Sequence, residues 1–99
     1  MNASQNRVEF TVYCHEIISG SDLGLHFSAT LEAAQSNVRT YRDAFRTIDP
    51  LGEPLGVLAI HEMVLRMPDV TTMIDLLNSP ESLLKSCLMS RKRVAVTVD

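Results

Sequence analysis

Residues 31–48 read LEAAQSNVRTYRDAFRTI, and this stretch decides the fold class. Leu31, Ala34, Val38, Tyr41, Phe45 and Ile48 recur at intervals of three and four, so they line one side of a helix. Glu32, Gln35, Arg39, Arg42, Asp43 and Arg46 cover the remaining sides. Thr30 is suited to the N-cap, where a hydroxyl accepts from an otherwise unpaired backbone N–H. Glu32 then sets a negative charge at the positive end of the helix dipole. Asp49-Pro50 stops the helix, because proline drives the residue before it towards extended backbone. Gly52, Pro54 and Gly56 make the segment to residue 56 a loop.

Upstream of this helix the pattern changes period. Val8, Phe10, Val12 and Cys14 alternate with Glu9, Thr11 and Tyr13, as in a strand with one buried face. Gly20 and Ser21 suit the centre of a two-residue type II′ hairpin. That turn sets Val12 opposite Ala29, Cys14 opposite Phe27 and His15 opposite His26, keeping apolar residues together on one face. Gly24 marks a place where a bulge could shift this register. Residues 1–7, MNASQNR, lack periodicity and read as a flexible N-terminal tail, leaving residues 8–99 as one domain.

Downstream, Val57–Met67 is apolar on both faces and predicts a central strand. Asp69 is an N-cap for a helix over Val70–Leu77, in which Val70, Met73, Ile74 and Leu77 share a face. Ser79-Pro80-Glu81 opens a further helix with Leu83, Leu84, Cys87 and Leu88 as its buried side. Val94, Val96 and Val98 alternate in a short final strand. The expected architecture is therefore an α+β two-layer domain in the order β-β-α-β-α-α-β. Connections through helices favour parallel pairing beside the antiparallel hairpin, which predicts a mixed four-stranded sheet with helices mainly on one face.

Composition narrows the function. The chain of 99 residues is 45% hydrophobic and 21% charged, which suits a folded globule. Its net charge of −3 argues against nucleic acid as a bulk electrostatic partner. No apolar run is long enough for a membrane span, no secretory leader is legible, and two isolated cysteines do not make a disulfide framework, so the cytoplasm is the expected compartment. Cys14 and Cys87 read as reduced core thiols. Phosphate-cradling glycine motifs and the nucleophile elbow are absent, and no cofactor is implied.

Three constellations remain. His15 and His26 face each other in the expected hairpin, and the carboxylates Glu16 and Glu62 with His61 would complete a metal or acid–base site if the third strand lay beside them. No zinc-motif spacing supports this, and a solvent-facing pair of neutral histidines is the plainer expectation. Arg91, Lys92 and Arg93 form the one consecutive basic run. Complementing the dipole at a helix C-terminus explains it without a partner, while a nucleic acid or an acidic partner is the alternative. Val57, Ala59, Met63, Leu65 and Met67 would form an apolar strand face needing cover, which a second subunit could supply. The reading favoured is a non-catalytic protein-interaction module that self-associates as a homodimer.

Overall fold

The computed structural model describes residues 8–98, so the tail expected at residues 1–7 lies outside the described residues. Strand β1 (Glu9–His15), β2 (His26–Ser28), helix α1 (Leu31–Ile48), β3 (Leu58–Arg66), α2 (Val70–Asn78), a 3-10 turn (Pro80–Ser82), α3 (Leu83–Cys87) and β4 (Leu88–Thr97) follow one another. The chain order is the expected one and the fold is α+β. No helix among the described residues is long and apolar enough to cross a membrane.

The four strands form one sheet in the order β2-β1-β3-β4, and every neighbouring pair is antiparallel. The expected mixed sheet is corrected on this point, for a topological reason. The connection through α1 does join two strands running the same way, β2 and β3, but β1 lies between them. The excursion through α2 and α3 returns to the end of β3 it left, pairing Leu65 with Leu88, and so acts as a long hairpin.

Local chemistry fixes the elements. Thr30 Oγ1 accepts from Ala33 N at 3.0 Å, and Asp69 Oδ1 accepts from Thr72 N at 2.8 Å, capping α1 and α2. The β1–β2 register pairs Cys14 with Phe27 and His15 with His26, as expected. The turn itself differs: Ser21 N donates to Ile18 O, and Gly20 sits third in that turn with φ +72°, as a type II turn demands. Ten residues, 16–25, thus connect the two strands.

Alternation along β1 and β3 divides the core in two. Beneath α1, Ala34 and Val38 pack with Leu58 and Ile60, flanked by Tyr13, Leu31 and Tyr41. On the opposite face, Leu65 packs with Leu76 of α2 and Cys87 of α3, beside Val12 and Leu84, so the helices are divided between the two faces and not gathered mainly on one as expected, because β3 is apolar on both. Arg42, expected on the exposed side of α1, is instead only 6% exposed. Its Nη2 donates to Gly56 O at 2.7 Å and to Thr97 O and Oγ1 at 2.9 Å. Strand β4 also departs from expectation, starting at Leu88 directly after α3, so that Arg91–Arg93 lie within a strand and not at a helix C-terminus. The Cα radius of gyration is 16.2 Å, against about 13 Å for a compact chain of a hundred residues.

Candidate functional site

Strand parity separates the histidines. His15 pairs with Ile60 under α1, whereas His61 pairs with Cys14 and shares the opposite face with Met63 and Ala59. His15 stacks on His26 with ring centroids 5.2 Å apart, and Tyr41 of α1 lies 6.2 Å away. It is buried, not solvent-facing, and its Nδ1 donates to Glu16 O at 3.0 Å. Glu62 faces the α1 side, accepting from the Tyr13 hydroxyl at 3.0 Å and lying 3.5 Å from Lys92 Nζ. That carboxylate holds the Tyr13 phenol above its usual range. His15, His26, His61 and Glu62 therefore do not converge, and no group of three His, Cys, Asp or Glu among the described residues could hold a metal ion.

His61 instead joins a polar cluster. Its Nδ1 accepts from Arg91 Nε at 2.9 Å, which leaves the ring proton on Nε2. Arg91 then forks onto both Asp22 oxygens, at 2.7 and 3.0 Å, pinning the β1–β2 connection to β4. Nearby Glu16 is buried; its Oε1 accepts from Ala59 N at 2.7 Å while its own N–H donates to Ala59 O, continuing the ladder beyond β1. Glu16, Ser19, Ala59, His61 and Arg93 line a shallow basin of about 510 Å³. The sequence reading placed Glu16 near His61 but missed Asp22, which lies in no motif and acts through Arg91, 69 positions away.

The cluster titrates in a defined direction. Burial pushes the His61 imidazole below its ordinary 6.5, and the Arg91 charge pushes it further, outweighing the carboxylates of Glu16 and Asp22. The folded state thus favours the neutral ring. Its contribution to stability is complete above pH 6.5 and is lost progressively as pH falls from that value through the lower value of the folded state. Urea midpoints measured from pH 7.5 down to 5.5 should fall, and His61→Gln should flatten the slope. An unchanged slope in the variant would assign the acid sensitivity elsewhere. Asp22, held below the usual carboxylate range by the Arg91 fork, adds its loss only at lower pH.

Nucleophilic chemistry finds no support in either thiol. Cys14 and Cys87 are both buried, and burial pushes the Cys14 thiol up, away from the reactive thiolate.

The apolar face expected as a contact surface divides in two. Ala59, Met63 and Leu65 are buried by the chain itself, while Val57 and Met67 remain about half exposed. The larger uncovered apolar surface is on α2. Val70, Met73, Ile74 and Leu77, expected to share one face of the helix, point outward, with Val70 76% and Leu77 73% exposed. Leu76 is the buried residue of that helix. Comparison of the chain with protein-family models, with curated proteins and with solved structures finds no match in any of the three.

Proposed function

We propose that the protein is a non-catalytic interaction module that associates with a second copy of itself through α2. The observation that carries this reading is the outward stripe Val70, Met73, Ile74 and Leu77. Residues at i, i+3, i+4 and i+7 are the spacing of a helix face that packs against something. Four such side chains offer on the order of 400 Å² of apolar surface, well within the range of functional patches on monomers.

A second copy suits the stripe because it is self-complementary. Asp75 is the one charged residue of α2, and the helical angle sets it well away from the stripe. Two stripes related by a twofold axis meet apolar against apolar, with no like charges in the contact. Exposed Leu83, just beyond the helix, and Met67, just before it, can widen the contact towards the area a stable dimer needs.

Sedimentation equilibrium of the unchanged chain and of the double variant Ile74→Glu, Leu77→Glu tests the proposal. Both residues are exposed, so the variant should keep its melting transition on dilution while its mass falls from dimer to monomer. A monomeric unchanged chain, or a variant that stays dimeric, rejects it.

A further inference from the structure

Beyond self-association, we infer that the outer edge of β4 is a docking site for an extended acidic segment of another polypeptide, which adds to the sheet as a fifth strand. Strand β4 is ten residues long and stands last in the sheet, so no strand among the described residues pairs with its outer side. Along any strand the backbone N–H and C=O groups point alternately to either side, so an edge presents a row of open donors and acceptors. Register shifts interrupt the pairing with β3 near Ala95 and near Leu88. Between them Ser90, Arg91, Lys92 and Arg93 pair regularly with Val64, Met63, Glu62 and His61. This regular stretch is where an added strand can continue the ladder.

The side chains at that stretch specify the partner's charge. Arg91 is already neutralised by Asp22, and Lys92 is held loosely, with a 3.5 Å contact to Glu62 and a side chain 70% exposed. Arg93 is exposed and has no hydrogen-bond or ion-pair partner among the described residues. Lys92 and Arg93 point to opposite faces, so carboxylates on successive residues of an added strand meet one cation on each face. A second copy of β4 is disfavoured, because antiparallel self-pairing centred on Lys92 sets Lys92 opposite Lys92 and Arg91 opposite Arg93. Nucleic acid is disfavoured too: the run has no aromatic neighbour for stacking and the chain as a whole carries −3. An acidic strand uses both the open backbone row and the charges.

The probe is the labelled, end-blocked peptide Thr-Val-Thr-Glu-Glu-Val-Thr, whose two carboxylates fall on successive residues and so on opposite faces, followed by fluorescence anisotropy at low salt. Saturable binding is expected, weakening as salt is added, together with slowed hydrogen exchange of β4 amides. The same peptide N-methylated at alternate residues should lose binding by about tenfold or more, since the backbone row is what it can no longer engage. Lys92→Glu with Arg93→Glu should lose a similar factor at an unchanged melting temperature, and Lys92→Gln with Arg93→Gln serves if the reversal fails to fold. Absent binding at low salt, retained binding by the N-methylated peptide, or retained binding by the charge variants overturns the inference. Tighter binding of a DNA duplex than of the peptide replaces the partner class. Loss of self-association in the charge variants assigns the edge to a second copy.

Discussion

Replacing Arg42 with methionine should lower the stability of the folded chain by about 3 kcal/mol, the largest effect expected of any residue on α1 outside its apolar face. The guanidinium is 6% exposed and reaches the Gly56 and Thr97 carbonyls, at 2.7 and 2.9 Å. It therefore ties α1 to the loop before β3 and to the last residue of β4. Thr97 continues the tie, its hydroxyl donating to Leu58 O at 3.1 Å. Methionine fills similar volume but leaves two carbonyls without their charged donor, and hydrogen bonds to charged groups contribute roughly 1.5–3 kcal/mol. For a domain of this size the loss corresponds to a melting temperature lower by roughly 10–20 °C. Arg42→Lys should recover part of it, since an ammonium supplies the charge without the planar fork. A methionine variant that melts within a degree or two of the unchanged chain would show the network to be energetically inert.

Arg42 also marks where sequence reading stops. The 3.6-residue period of residues 31–48, the Thr30 cap and the stop before Pro50 all depend on neighbours in the chain, and α1 forms with those bounds. The His15–His26 pairing also came out as expected, although the two-residue turn from which it was reckoned is replaced by a longer connection that keeps the same register. Arg42 looks polar in a helical projection because the pattern records residue type, and only the arrival of Gly56 and Thr97 supplies acceptors for a buried cation. His61 failed to join His15 for a related reason: which face a strand residue takes depends on register, here the pairing of His61 with Cys14, far away in the chain. Strand β4 was half legible. Arg91 to Arg93 break the apolar alternation, and it is Asp22, Glu62 and His61, all distant in sequence, that make Arg91 and Lys92 acceptable inside a strand. The α2 stripe was read correctly as a shared face, but its exposure follows from how a nine-residue helix docks through Leu76, which periodicity does not encode.

Met63 gives the second large effect, and it separates the two halves of the apolar row on β3. Met63→Ala should cost about 3 kcal/mol, whereas Met67→Ala should cost under about 0.5 kcal/mol. The two residues carry the same side chain four positions apart, so the contrast isolates burial. Met63 has no exposed surface and sits between Val12 of β1 and Arg91 of β4 in the sheet. Met67 lies just past the strand and is 48% exposed. Truncation at the first site removes methylenes and sulfur from a filled interior and leaves a cavity that the strands on either side cannot close. Truncation at the second removes surface already in water. Urea unfolding in dilute solution, where self-association is absent, reads the difference directly as a shift in midpoint at constant slope. Equal losses at the two sites would mean that Met67 is covered even in the dilute chain, and the outward apolar surface near α2 would then be smaller than the dimer proposal requires. A loss confined to Met63 leaves that surface available, and a further drop in dimer affinity with Met67→Ala would place residue 67 at the margin of the contact.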